Sequence, residues 1–279
     1  MNGWIVALIV LGALVLEFVF LYLIAIKPDT SRKKRMDEFA KRYVAHRGLF
    51  DAESPENTLA AFRKAVRAGY GIELDVQLTR DKQAVVFHDY NLKRMTGVDK
   101  KLSDCDYAEL LSYPVGGTKE RIPLFSDVLH EIGGAVPLIV EIKVEDDYYE
   151  TTKAAADLLD GYEGPYCVES FHPFALVWYR KNRPDVLRGQ LATDLFSEKS
   201  KQSFGRKFVL THMLLNLSAK PDFIAYDHRY AGNLPFSVCR NLYGAKTAAW
   251  TVQDEETLEK CRKKFDVMIF DSFVPSEKD

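Results

Sequence analysis

What most limits this chain's choices is an alternation of short apolar runs with helix-like segments. The runs are Tyr43–Ala45, Ile72–Leu78, Pro137–Ile142, Tyr166–Val168, Arg188–Leu191, Phe223–Tyr226, Thr247–Val252 and Val267–Phe270. Such spacing leaves room for a crossover helix between strands, and crossovers of that kind build parallel sheets. Eight units in about 240 residues fit a (β/α)8 TIM barrel, whose usual length is about 250 residues. A doubly wound α/β sheet is the competitor, but no GxGxxG follows the first run.

A ninth run, "AVVFH" at Ala84–His88, is separated from Leu78 by only "TRDKQ". A parallel crossover needs about a dozen residues, so this pair is expected to form a hairpin. A turn centred on Asp81-Lys82 sets His88 opposite Asp75 and makes residues 78–125 an insertion after the second barrel strand. Ser54-Pro55 reads as a helix N-cap and first helical residue, with Gly69 as the stop. Asp254–Phe265 reads as another helix, with acids in its first turn and Lys260, Arg262, Lys263 and Lys264 in its last. Little chain follows the last run, so the final outer helix is expected to be missing, with Arg32–Arg42 covering the gap.

Ahead of the barrel, Trp4 to Ile26 is apolar almost throughout, with one carboxylate at Glu17. As a helix it is about 35 Å long, enough to cross a hydrocarbon core of about 30 Å. No basic side chain precedes it, and the run exceeds the apolar core of a cleaved signal, so an uncleaved single-pass anchor is expected. Lys27, Arg32, Lys33, Lys34 and Arg35 follow closely, which sets the remaining chain on the cytoplasmic face of the cell membrane. A charged Glu17 at mid-bilayer costs about 2.5–3.5 kcal/mol, favouring protonation or a helix partner. The expected division is a transmembrane anchor over 1–29, touching the bilayer through residues 4–26, a basic juxtamembrane segment over 30–42, and the barrel over 43–279. A net charge of −2 argues against a nucleic-acid partner. Cys105, Cys167, Cys239 and Cys261 have no CxxC spacing, which suggests neither a zinc site nor a disulfide framework.

In "GIELDVQL", the two-residue strand period puts Glu73 and Asp75 on one face. A solvated strand face would explain them, but a parallel barrel has no strand face open to water in that way. Buried like charges need a cation between them, so a metal is the favoured reading. Glu141 and Lys143 in "PLIVEIKVED" share a face at the end of a later strand. Three carboxylates suit Mg²⁺ or Ca²⁺, with Mn²⁺ also acceptable, and suit zinc poorly. Lys143 is either their counter-ion or a phosphate ligand. His46-Arg47 end the first strand, and the hairpin brings His88 over the same rim, where barrel chemistry is run. Two histidines, two cations and an acidic site together describe phosphate-ester chemistry, with one imidazole as base and the other as acid.

The motifs "HRG" (46–48), "PENT" (55–58), "IELDVQLTRD" (72–81), "VVFHD" (85–89), "VEIK" (140–143), "ESF" (169–171) and "WTV" (250–252), in this order, resemble those of the glycerophosphodiester phosphodiesterases. That resemblance implies a (β/α)8 barrel with an insertion after the second strand. It implies metal ligands at Glu73, Asp75 and Glu141, acid–base histidines at His46 and His88, and phosphate contacts at Arg47 and Lys143. Trp250 matches a substrate-cleft aromatic, with a barrel-core tryptophan as the alternative, while "PENT" reads mainly as helix capping. The implied reaction is metal-dependent hydrolysis of a glycerophosphodiester to an alcohol and sn-glycerol 3-phosphate. Lysophospholipase D-type cleavage of a lipid head group and an inactive tethered binding barrel are the alternatives. "FGRKFVLTHMLLNL" (204–217) reads as an ordinary barrel helix more readily than as a lipid-facing ridge. Gln253 after "WTV" and the ending "MIFDSFVP" depart from the family pattern.

Overall fold

The computed structural model describes residues 2–41, 43–145 and 147–276. Met1, Arg42 and 277–279, which fall in the expected anchor, juxtamembrane and barrel ranges, lie outside the described residues, as does Asp146. The strands are β1 (Val44–His46), β2 (Gly71–Leu78), β3 (Ala84–Val86), β4 (Leu138–Ile142), β5 (Tyr166–Ser170), β6 (Leu187–Ala192), β7 (Phe223–Asp227), β8 (Lys246–Val252) and β9 (Val267–Phe270). The helices are α1 (Gly3–Ile26), α2 (Asp37–Ala40), α3 (Leu59–Ala68), α4 (Lys93–Thr96), α5 (Tyr107–Leu110) and α6 (Phe125–Ile132). They continue as α7 (Tyr148–Leu159), α8 (Pro173–Asn182), α9 (Phe204–Thr211), α10 (Asn216–Ala219), α11 (Leu234–Ser237) and α12 (Glu255–Arg262).

All the strands except β3 pair in parallel, and β1 joins both β2 and β9, which closes an eight-stranded barrel. Along each strand, one set of alternating residues faces the surrounding helices and the other fills the interior. The outer set on β2 and β4 is Ile72, Leu74, Val76, Leu138, Val140 and Ile142, all buried in the main core. The interior changes character along the strands. Its lower part is apolar, built from residues such as Val44, Ile139, Cys167, Phe223 and Ile269. Higher up, the interior includes the polar residues His46, Glu73, Asp75, Glu141 and Glu169.

Residues 32–41 do not cover an outer gap. Met36 and Phe39, both almost fully buried, insert into the apolar interior cluster and plug the barrel floor. Burial of each contributes about 1.5–3 kcal/mol, and a polar outer position offers no such gain. The plug is pinned by a fork from Arg32 to the buried Asp222, with Nε at 2.8 Å and Nη2 at 2.6 Å. Arg35 donates to the Asp185 carbonyl. Two of the bases that follow the apolar span are thus tied to the barrel.

The β2–β3 hairpin forms, but its register differs from the expected one. Val76 stands opposite Val86, so Phe87 rather than His88 lies across from Asp75. The loop holds three residues instead of two. Thr79 N–H reaches the Gln83 carbonyl at 3.0 Å, and Lys82 adopts a left-handed φ of 62°. A left-handed third residue is the usual solution for such a loop, but lysine does not advertise it. Helix α3 starts at Leu59, with Thr58 as its N-cap, rather than at Pro55. A left-handed φ of 57° at Asn57 keeps the preceding residues out of the helix. Gly69 ends it at a φ of 76°, as expected.

Helix α1 is apolar except at Glu17, and its membrane-span window is unburied. Glu17 lies on this exposed part. The last turn is different. Ile26 is fully buried, its carbonyl accepts from Asn216 Nδ2 at 2.9 Å, and Tyr243 Oη donates to the Leu23 carbonyl at 2.9 Å.

Candidate active site and metal centre

The site lies inside the upper end of the barrel, at the C-terminal ends of β1, β2 and β4. Parallel pairing aligns His46 with Glu73 and Asp75 with Glu141. One carboxylate oxygen each from Glu73, Asp75 and Glu141 lies within 4.8 Å of the others, and all three residues are buried. The acids from separate strands therefore converge, as their alternation implies. Glu169 on β5 stands beside Glu141, also buried. Against these four acids the interior offers Lys143, with Nζ 2.9 Å from Glu141 and 3.1 Å from Asp75, and Arg47, with Nε 3.4 Å from Asp75. With every acid ionised, the two cations leave an excess of two negative charges. That excess and an all-oxygen donor set fit a hard divalent cation.

The electrostatics follow from crowding. Burial, reinforced by Asp75, Glu141 and Glu169, raises the Glu73 carboxyl well above the usual range. Burial lifts Glu141 to about 7 despite Lys143. Burial also opposes ionisation of Asp75, but Lys143, His88, Arg47 and a hydrogen bond from Asn57 outweigh it and hold this carboxyl low. Lys143 is raised because Asp75 and Glu141 overcome its desolvation.

The turn after β1 explains why "HRG" is needed. Arg47 and Gly48 both take left-handed φ values, 58° and 82°. A Cβ on Gly48 would lie 3.0 Å from Ala61 and Phe62, so only glycine fits comfortably. This turn aims the Arg47 N–H at Glu73 Oε2, 3.0 Å away, while the guanidinium reaches Glu56 at 2.8 Å.

Each histidine has a carboxylate behind it. His46 Nδ1 is 2.8 Å from Asp271 Oδ2, and His88 Nδ1 is 2.7 Å from Asp89 Oδ1. A carboxylate only accepts, so each Nδ1 carries the proton and each Nε2 is the free lone pair of the neutral ring. His46 Nε2 lies 3.9 Å from Glu73 Oε2. Burial lowers His46, and it pushes His88 down to about 4, so both rings are neutral at pH 7. His88 does not stand across from Asp75, yet the two feel each other's charge, because the chain leaves β3 towards the rim.

Several residues that hold these groups went unassigned from sequence. Asn57 Nδ2 donates to Asp75 Oδ2 at 2.8 Å, so "PENT" serves the acidic centre as well as helix capping. A continuous chain of ion pairs runs from Arg47 to Glu56, then Arg94 and Asp89, and Asp89 in turn accepts from His88 Nδ1. Asp271 also accepts from Gln253 Nε2 at 3.0 Å, which uses both departures from the family pattern. The only signal for Glu56, Asn57 and Asp89 was their presence inside quoted motifs.

Trp250 stands on β8 next to Asp227, edge-on to Phe171 at 5.5 Å, and packs against the apolar interior cluster. Its indole N–H has no hydrogen-bond partner among the described residues. A cavity of about 350 Å³ opens beside Glu141 and Lys143, with Phe171, Leu191, Leu195 and Leu210 as apolar walls and Arg206 among its polar ones.

Comparison with known proteins agrees with this geometry. The chain is 31% identical over 236 residues to a glycerophosphodiester phosphodiesterase of Caldanaerobacter subterraneus subsp. tengcongensis, covering 79% of this chain and 89% of that protein. It is 38% identical over 149 residues to lysophospholipase D GDPD1 of Rattus norvegicus, covering 49% of this chain and 46% of the relative. The chain thus spans about half the length of that relative. A phosphodiesterase of Oleispira antarctica, solved in complex with the product sn-glycerol 3-phosphate, superposes with a TM-score of 0.68 at 25% identity, over 83% of this chain and 92% of that one. Residues 46–272 match the glycerophosphoryl diester phosphodiesterase family, and with the barrel, the acidic centre and these relatives in agreement, the chain belongs to that family.

Proposed function

We propose that this protein hydrolyses glycerophosphodiesters to an alcohol and sn-glycerol 3-phosphate. The observation that carries the reading is the convergence of Glu73, Asp75 and Glu141 within 4.8 Å, beneath two carboxylate-backed imidazoles. These three acids would hold one divalent cation, Mg²⁺, Ca²⁺ or Mn²⁺. Such an ion supplies charge stabilisation to the phosphoryl oxygens. Arg47 and Lys143 present their N–H groups to the same oxygens and orient the diester. One histidine takes the proton of the attacking hydroxyl on its free Nε2 as the new P–O bond forms. The other, after taking up a proton from solvent on its Nε2, delivers that proton to the leaving oxygen as the old P–O bond breaks. Asp271 and Asp89 hold the two rings in the required tautomer. Trp250 and Phe171 would form an aromatic wall of the substrate cleft.

Cleavage of a lysophospholipid head group is the second reading. It is favoured by the apolar walls of the cavity beside Glu141 and by similarity to a lysophospholipase D.

We further infer that residues 1–29 are an uncleaved membrane anchor, 30–42 a juxtamembrane segment and 43–279 the catalytic unit on the cytoplasmic side of the cell membrane. The packed last turn of α1 supports retention, since cleavage would remove the fully buried Ile26 from the main core. The test of function is hydrolysis by the full chain of glycerophosphoglycerol and of lysophosphatidylcholine, with chelator and cation add-back. We expect release of glycerol 3-phosphate that is lost with chelator and restored by the cation. Release of choline alone, from the lysolipid alone, would transfer the site to the second reading.

A further inference from the structure

Between the end of α1 and the cavity mouth runs an unbroken ladder of rings. Tyr22 meets His212 edge-on at 5.7 Å, and His212 lies 4.4 Å from Phe208. Phe208 stacks on Phe204 at 6.4 Å, and Phe204 meets Phe196 at 5.6 Å. The upper end of the ladder faces outward. Phe204 is 74% exposed and Phe196 39% exposed. Lys207 Nζ sits 5.9 Å above the Phe196 ring. On the other side of this edge, Leu195, Arg206 and Leu210 line the cavity beside Glu141 and Lys143. No contact inside the described residues accounts for so much exposed aromatic surface.

The direction of α1 says what covers it. Tyr22 bonds His212, and Ile26 bonds Asn216, so the partners keep a constant offset of 190 residues. Helix α1 therefore runs parallel to the α9–α10 stretch at this contact. Since α9 follows the C-terminal end of β6, its Phe204 end lies at the rim, and α1 climbs from the contact towards that rim. From His212 to Phe204 the rise is about 12 Å, whereas the part of α1 before Tyr22 extends about 28 Å at 1.5 Å per residue. That apolar part has no packing in the barrel. A bilayer that receives it meets the α9 edge of the rim first.

We propose that this edge docks on the bilayer that α1 enters, with Phe196, Phe204 and Phe208 seated in the head-group and upper acyl region. The proposal rests on α1 being the anchor inferred above. Interfacial helices bury their apolar face by about 5–10 Å in this way. Lys207 lies along the edge, and its flexible stem lets the ammonium swing from the Phe196 ring to lipid phosphates. The cavity mouth then opens at the membrane surface, and the acidic centre is reached from the lipid side. A second copy of this chain is the other occupant such an edge would accept.

The test uses the full chain in vesicles of phosphatidylcholine and phosphatidylglycerol. The native cysteines are all buried, so a nitroxide can be attached singly to Phe204→Cys, to Lys207→Cys, which keeps all three phenyl rings, to Lys82→Cys on the hairpin, and to Leu11→Cys. Collision with oxygen reports lipid, and collision with a water-soluble nickel chelate reports solvent. Oxygen collisions should exceed nickel collisions at Leu11, nickel collisions should fall well below the Lys82 value at both α9 sites, and Lys82 should remain open to nickel. Lipid exposure at Leu11 with full nickel exposure at Phe204 and Lys207 would overturn the docking and leave the anchor standing. Nickel exposure at Leu11 and on α9 would overturn both. A water-exposed Leu11 with protected α9 sites would remove the anchor and, with it, docking on a bilayer that α1 enters. Protection from both reagents on α9, with dipolar broadening between labels, would assign the edge to a second copy and refute the proposal.

Discussion

Around the mouth of the barrel, the chain after β1 and β3 carries charged side chains locked in ion pairs, whereas that after β5, β6 and β7 carries Phe171, Phe174, Phe196, Phe204 and Leu234, all exposed. The first half spends its side chains on one another. Arg47, Glu56, Arg94 and Asp89 form a continuous ion-paired chain that ends on the His88 N–H, and Asp271 and Asn57 fix His46 and Asp75. Several of these charged groups are partly or wholly removed from water, which is costly unless every one is paired. The second half also holds ion pairs of Arg229 with Asp227 and Glu198, but its exposed apolar side chains are left to bind something outside the chain. Positioning and reception are thus separated in space, and each predicts its own response to mutation.

The largest effect should come from the polar half. His46→Ala and His88→Ala should each lower turnover by about 10²–10⁴-fold while divalent-cation affinity stays near wild type. Parallel rate assays and calorimetry would show it, and wild-type turnover in both variants would remove the acid–base assignment. Next come the groups behind the imidazoles. Asp271→Asn keeps the shape but no longer fixes the His46 tautomer, and it should cost about 10–100-fold, chiefly in kcat, with a shifted acid limb of the pH profile. A third effect concerns protons. Burial raises Glu73 and lifts Glu141 to about 7, so the metal-free centre holds protons at neutral pH. Cation loading must expel them, and apparent affinity should climb as pH rises through about 7. Titrations in two buffers of different ionisation heat should differ, and identical heats would contradict this. The smallest effect is expected in the apolar half. Phe174→Ala should leave hydrolysis of a small soluble glycerophosphodiester within about twofold of wild type, as for most exposed side chains. A loss there comparable to Asp271→Asn would erase the division between the halves.

The polar half was also the more legible in sequence, but only in part. Glu73, Asp75 and Glu141 announce themselves because a two-residue period fixes their face without any knowledge of the rest of the fold. Asn57, Glu56 and Asp271 do not, because their partners are set by how loops from distant strands meet. The hairpin was readable from its short connection, yet its register was not. Two- and three-residue loops fit the same five residues, and only the left-handed φ at Lys82 decides between them. Arg32–Arg42 shows a similar limit. Its bases suggested a surface, while the barrel-floor role belongs to Met36 and Phe39, two apolar residues without a repeating pattern around them. Least legible was the ring ladder beside α9, since its spacing in sequence is that of any amphipathic barrel helix.

The central claim is that the three converging acids form a cation site. Crystals of the full chain soaked in Mn²⁺ and measured near the manganese absorption edge test it most directly. An anomalous peak among the Glu73, Asp75 and Glu141 oxygens, at about 2.0–2.6 Å from them, is the predicted result. No peak there, with Lys143 still bridging Asp75 and Glu141, would make the lysine the resident counter-ion and contradict the account.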